Sequence, residues 1–218
     1  MSLPRPPRAV VFDLDGLLID SETMIQDAMI AVSPRFGKAV DLPFFLSLVG
    51  HTHMVNDAAL RQHFGEHVDL DDFHLAVRAH IETERVAGAV LKTGVTELLD
   101  RLDRVGLPRA IATSSTHEWV DRHLGLHGLA PRFNAVIARG DYVNSKPHPE
   151  PYLAAAAQLD VAPEFCLALE DSYTGVRAAH AAGMMTIMVP DLLAPNDDMR
   201  ALTIRIVDTL HEVADLFG

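Results

Sequence analysis

The sequence predicts an α/β chain: a parallel-sheet core with an all-α insertion after its first strand. Three observations predict it. A short apolar run opens the chain, the following stretch of roughly eighty residues carries only helical periodicity, and strand and helix patterns alternate from Gly94 onward.

In chain order, Ala9-Val10-Val11-Phe12-Asp13-Leu14 is continuously apolar up to its acid and rich in β-branched residues, which marks a buried strand. It runs into Asp13-Leu14-Asp15-Gly16, a carboxylate-bearing turn. Ser21–Val32, Asp41–Val49, Met54–Phe64 and Asp71–Val86 have amphipathic helical periodicity and are separated by Pro, Gly or Asp, with breaks at Pro34 and Pro43. The insertion therefore runs from about Ser21 to about Gly88. That divides the chain into a core of residues 1–20 and 89–218 and a helical cap of residues 21–88. Beyond it, Val95–Val105 is a helix stopped by Gly106, Arg109–Thr113 a strand, Thr116–Leu124 a helix and Ala135–Ala138 a strand. Glu150–Leu159 is a helix opened by proline, Phe165–Leu169 a strand, Thr174–Ala182 a helix closed by Gly183, Met185–Val189 a strand and Asp208–Phe217 a last helix. Strands alternating with helices of about ten residues imply a parallel sheet covered on both faces.

Composition narrows the function. The 218 residues suffice for one domain with an insertion, and 49% hydrophobic against 22% charged residues excludes an intrinsically disordered chain. Eighteen basic and thirty acidic residues give a net charge of −12 with no Lys/Arg run, so no nucleic-acid and no membrane partner is expected. The single Cys166 excludes an intramolecular disulfide and a Cys-only metal site, and fits a reducing compartment. No apolar run reaches the ~18 residues of a membrane span, and the N-terminus lacks a signal-peptide core. The expected location is the cytoplasm, and the expected state a monomer, with a dimer as the alternative.

In open parallel sheets ligands bind at the carboxyl ends of the strands. Those ends carry Asp13 and Asp15, then Thr113-Ser114-Ser115, then a loop with Lys146-Pro147-His148-Pro149, then Glu170-Asp171-Ser172. Four carboxylates cannot all stay ionised beside one lysine, and an all-oxygen set selects a hard divalent cation such as Mg²⁺. Hydroxyls, backbone N–H groups and a lysine suit a phosphate. One carboxylate can then act as a nucleophile, and a second, two residues along the turn, as a general acid and base. Each segment also has a plainer role: Asp13 and Asp15 as turn or cap residues, and Ser115 or Thr116 as a helix cap.

Asp13-Leu14-Asp15-Gly16-Leu17-Leu18-Ile19-Asp20-Ser21-Glu22 resembles the first motif of the haloacid dehalogenase-like superfamily, in its β-phosphoglucomutase and phosphatase-like branch with a helical cap. Ile111-Ala112-Thr113-Ser114-Ser115 is similar to the second motif, Lys146-Pro147-His148-Pro149-Glu150-Pro151-Tyr152 to the third, and Leu169-Glu170-Asp171-Ser172-Tyr173-Thr174-Gly175-Val176 to the fourth. The four stand in order along essentially the whole chain. The resemblance implies a Rossmann-like core. It also implies Asp13 as nucleophile and metal ligand, and Asp15 as general acid and base with its carbonyl on the metal. Thr113 and the Ser114 N–H would hold the phosphoryl group, and Lys146 would neutralise nucleophile and phosphate oxygens. Asp171 would bind Mg²⁺, with Glu170 binding it directly or through water. Gly16 would let the backbone approach the phosphate.

The resemblance implies an enzyme, a Mg²⁺-dependent phosphatase hydrolysing a small phosphate monoester such as a sugar phosphate, phosphoglycolate or a nucleotide through an aspartyl-phosphate. Dehalogenases of the superfamily lack the second acid, and the phosphonate-cleaving branch needs a cap lysine where this cap has only Lys38. A β-phosphoglucomutase-type mutase is an alternative, weakened because its cap-proximal histidine and arginine fall at Ile25 and His53. A non-catalytic phosphometabolite-binding protein is a second alternative, although no catalytic position is lost. Six of the twelve histidines lie in the cap. His51 and His53, after Gly50, are candidate substrate contacts, as are Arg61, Arg78 and Arg85. His63 and His67, spaced i, i+4, could share a helix face. The cap is expected to act as a lid hinged near Asp20–Ser21 and Gly88–Leu91. Cys166 and Trp119 are expected in the core.

Overall fold

The computed structural model describes residues 3–49, 53–84 and 90–218. The chain forms two compact units, Met1–Ile19 with Val90–Gly218, and Asp20–Ala89.

The helical unit contains α1 (Ser21–Val32), α2 (Leu42–Leu48), α3 (His53–Phe64) and α4 (Leu70–Glu84). Asp20 caps α1 and Asp41 caps α2 through their carboxylates, which accept from Thr23 and Phe44 N–H groups. The apolar faces meet in an aromatic cluster in which Phe73 packs edge-on to Phe36 at 5.2 Å and against Phe64 at 5.0 Å. His63 and His67 do not share a face. α3 ends at Phe64, and Gly65 takes a positive φ of 96°, so His67 lies beyond the helix. The His63 ring stacks on Phe44 at 4.0 Å and bonds the Ala39 carbonyl. Val86 and Arg85 of the last expected helix, and Gly88 of the expected hinge, lie outside the described residues.

In the other unit, six parallel strands form one sheet among the described residues: β1 (Ala9–Phe12), β2 (Arg109–Thr116), β3 (Ala135–Arg139), β4 (Cys166–Glu170), β5 (Met185–Met188) and β6 (Arg205–Ile206). Their order is β3-β2-β1-β4-β5-β6, which puts β1 and β4 side by side at the centre. The helices between and after them are α5 (Val95–Val105), α6 (His117–Leu126), α7 (Glu150–Gln158), α8 (Tyr173–Ala181), α9 (Asp197–Leu202) and, following β6, α10 (Leu210–Ala214). Every residue of β1, β4 and β5 is buried, as two-sided coverage requires. Cys166 sits in this core beside Val11, Ala168 and Tyr152.

Several boundaries differ from the sequence reading. β1 stops at Phe12, because the chain folds back through Gly16 N–H to the Ile19 carbonyl (2.8 Å). β2 runs on to Thr116, since its pairing with β3 breaks after Ala112 and resumes at Thr116. The last helix is one short turn-and-a-half followed by a 3-10 turn over Asp215–Phe217. α9 and β6 are additional. No helix among the described residues is long and apolar enough to cross a membrane.

Candidate active site

The neighbouring ends of β1 and β4 set the site. Asp13 follows β1 directly, its N–H still bonded to the Leu169 carbonyl of β4 at 3.0 Å, and it is only 6% exposed. Glu170 is the last residue of β4 and fully buried. Lys146 Nζ lies between them, 2.5 Å from Asp13 Oδ1 and 2.6 Å from Glu170 Oε1. Glu170 is saturated. Its Oε1 also accepts from the Tyr152 hydroxyl, and its Oε2 from the Asp171 and Ser172 N–H groups and the Ser172 hydroxyl.

The charges do not balance. Burial works against Glu170, yet Lys146, Tyr152 and Ser172 hold its carboxyl below the ordinary value. Burial also disfavours the Lys146 ammonium, but Asp13 and Glu170 keep its proton on far above the usual lysine range. Lys146 and Glu170 thus satisfy each other. Asp13 and Asp171 are left over. Burial pushes Asp13 up to about 8 despite Lys146, with Glu170 and Asp15 adding to the push. Burial, with Glu170 and Asp13 nearby, pushes Asp171 well above the carboxylate range. Asp13, Glu170 and Asp171 each bring an oxygen within 4.8 Å of the others. A hard divalent cation fits this donor set, because it supplies the charge the protein lacks.

Two glycines make room for these carboxylates. Gly16 has φ +83°, and a Cβ there would fall 2.2 Å from Asp171 Oδ2. The missing side chain at Gly16 leaves room for the Asp171 carboxylate. Gly175, in the first turn of α8, would place a Cβ 1.7 Å from Glu170 Oε1.

Thr113, Ser114 and Ser115 lie where the β2–β3 ladder breaks. Thr113 is buried, Ser114 exposed. Thr113 Oγ1 accepts the Ser115 N–H at 3.1 Å, and Tyr142 bonds the Thr113 carbonyl at 3.0 Å. Asp15 is tied to the same segment. Its Oδ2 accepts from Ser115 Oγ at 2.6 Å and Thr113 Oγ1 at 3.5 Å, and its Oδ1 from Trp119 Nε1 at 3.0 Å. Trp119 therefore stands half-buried at the site and not in the core. An aromatic three residues past a cap carries no sequence signal for a partner so far away in the chain. Glu150 is the other residue missed in role. Its carboxylate accepts from the Val143 and Asn144 N–H groups and the Asn144 amide, which hold it below its ordinary range and pin the loop that delivers Lys146.

Of the cap candidates, His51 lies outside the described residues, and of His53 only its place at the start of α3 is described. Arg85 also lies outside them. The helical unit has a cavity of about 310 Å³ of its own, with Ile25, Met29, Phe45, Leu60 and Phe73 in its walls and the Asp57–His74 pair (3.0 Å) among its polar lining.

Residues 10–189 match the haloacid dehalogenase-like hydrolase family. The chain is 33% identical to hexitol phosphatase B of Escherichia coli K12 over 231 aligned positions, covering 100% of both chains. It is 31% identical to a phosphorylated carbohydrates phosphatase of Thermotoga maritima over 82% of this chain and 83% of that one. Among solved structures, CbbY of Rhodobacter sphaeroides in complex with phosphate superposes with a TM-score of 0.76 at 26% identity, covering 95% of this chain and 96% of that one.

Proposed function

The chain belongs to the haloacid dehalogenase-like hydrolases and is a phosphatase of small phosphorylated substrates; from that premise we propose that it hydrolyses phosphate monoesters of small sugars or sugar alcohols, in a Mg²⁺-dependent reaction, by transferring the phosphoryl group to Asp13. The observation that carries the proposal is the pairing of Asp13 with Lys146 next to Asp171, while Asp15 is held apart on the Thr113–Trp119 segment. The phosphorylated hexitol or carbohydrate named for two relatives favours this substrate class.

Asp13 and Asp171 would hold the cation, with the Asp15 backbone carbonyl. Glu170, whose oxygens already accept five hydrogen bonds, would meet it through water. A bound Mg²⁺ neutralises the surplus carboxylate charge and draws charge from the phosphoryl oxygens. The Ser114 N–H holds those oxygens on the segment that Thr113 ties to Asp15 through its hydroxyl, and Lys146 keeps the nucleophilic carboxylate aligned. An Asp13 oxygen bonds to phosphorus as the bond to the sugar oxygen breaks, and Asp15 gives that oxygen its proton. Asp15 then takes a proton from water. The water oxygen bonds to phosphorus, the bond to Asp13 breaks, and phosphate leaves.

Mutase chemistry is the weaker reading, because Ile25, an apolar wall residue of the cap cavity, stands where mutases carry histidine. The test is phosphate release from sorbitol 6-phosphate, glucose 6-phosphate, phosphoglycolate and UMP, with Mg²⁺ and with EDTA. We expect release with Mg²⁺ only, and fastest from the sugar and sugar-alcohol phosphates. Folded, metal-loaded protein that releases nothing would reject the hydrolase reading.

A thermal prediction follows from the same carboxylates. Without a cation, the folded state holds the Asp13 proton up to about pH 8, whereas the unfolded chain loses it near 3.8. Stability from this group is therefore lost as pH rises through that window. At about a hundredfold excess over its Kd, Mg²⁺ should raise Tm by roughly 5–10 °C at pH 8.5, and by clearly less at pH 5.5, where protons already neutralise the pair. Equal increments at both pH values would count against the charge imbalance.

A further inference from the structure

We propose that Trp119 is a positioning residue for Asp15, aiming one defined oxygen, Oδ1, for proton transfer. The inference rests on the reading of Asp15 as the general acid and base. Each carboxylate oxygen offers about two acceptor positions. Among the described residues, Oδ2 uses its two on the Ser115 and Thr113 hydroxyls. Among the same described residues, Oδ1 accepts only the Trp119 indole N–H. The open position, and hence the proton, belongs to Oδ1, and the indole fixes where it points.

Trp119 is itself held. Its backbone N–H bonds the cap hydroxyl of Thr116, and its ring packs on the His123 ring at 4.3 Å. His123, fully buried, bonds the Trp119 carbonyl through Nδ1 at 2.8 Å. Ser115, Thr113 and Trp119 all come from the β2–α6 segment that also carries the phosphate-binding Ser114. The clamp thus ties the proton donor to the element that would hold the phosphoryl group, and fixes their separation. In the first step the Oδ1 proton passes to the leaving oxygen, which keeps the electron pair of the broken P–O bond. The carboxylate so formed keeps the indole N–H as donor. In the second step Oδ1 takes the proton released by water.

The test compares leaving groups. An alkoxide needs a proton to depart, whereas p-nitrophenolate leaves as a stable anion. kcat/KM is measured on the best alkyl monophosphate of the panel above and on p-nitrophenyl phosphate. Trp119→Phe should lose about tenfold on the alkyl ester and less than about twofold on the aryl ester. Ser115→Ala should lose in the same pattern, with Ser115→Thr restoring it. Asp15→Asn should show a larger split, on the order of 10²-fold or more. If Asp15→Asn shows the split and Trp119→Phe loses equally on both esters, the positioning role is overturned and the acid role stands. If Asp15→Asn shows no split, the acid role itself fails. A separate arm needs no turnover, because Trp119 is the sole tryptophan. Asp15→Ala should shift its emission maximum, and unchanged emission would overturn the hydrogen bond on which the inference stands.

Discussion

Lys146→Ala is expected to lower Tm by about 10 °C and to cut phosphate release by about a thousandfold or more. The Lys146 side chain is 5% exposed, and its ammonium sits between two carboxylates, of which the Glu170 side chain is completely buried. Removing one partner of such a group leaves uncompensated charge inside the protein, a loss of roughly 3–5 kcal/mol, and roughly 2–4 °C per kcal/mol is typical at this chain length. Activity falls further because Asp13 loses the contact that aligns it, and positioning with charge stabilisation supplies most of the catalysis in phosphoryl transfer. The stability loss should shrink as pH is lowered toward 5, since protons can then neutralise Asp13 and Glu170 in place of the missing ammonium. Thermal unfolding across pH reads both effects. A variant as stable as the parent at pH 8 would show that Lys146 does not hold these carboxylates.

Gly175→Ala should be nearly as damaging, against the usual expectation for a helix. Alanine is favoured over glycine in helices by roughly 1 kcal/mol, so an exposed site would gain stability. Here the new Cβ would lie 1.7 Å from Glu170 Oε1 and 1.9 Å from its carboxyl carbon. Glu170 has no free direction to retreat, because it is bonded to Lys146, Tyr152 and the start of α8. Overpacking of this kind costs about 1–3 kcal/mol or more. Displacing Glu170 also releases Lys146, so activity should fall by about a hundredfold while the helix content stays native. Circular dichroism and initial rates check the two halves. A more stable, fully active Gly175→Ala protein would contradict the packing described.

The residues that carry charge at the strand ends were legible because each lies in a short contiguous segment. Asp13 and Asp15 follow an apolar strand, Glu170 and Asp171 end another, and buried acids in such places demand a partner. The helical insertion was legible from periodicity alone, since buried apolar residues recur at helical spacing, as Phe73, Val77 and Ile81 do along α4. What escaped depends on contacts between distant segments. Nothing around Trp119 signals Asp15, and Glu150 reads as an ordinary first-turn acid although it anchors the lysine loop. The packing of Gly16 against Asp171 had no signal, because only the folded sheet brings that residue there. The short strand β6 has two residues and no pattern to read. α9 did have a signal, the Asn196-Asp197-Asp198 start, in which Asn196 caps the helix through Met199 N–H.

The central claim is that Asp13 carries the phosphoryl group during turnover. It is tested most directly by acid-quenching the Mg²⁺-loaded protein during hydrolysis of its best panel substrate and mapping the peptides by mass spectrometry. The account predicts phosphate on the peptide containing Asp13, at a level that rises with substrate and is absent in Asp13→Asn. Turnover with no phosphorylated Asp13 peptide, or an Asp13→Asn protein that still releases phosphate at the parent rate, would contradict it.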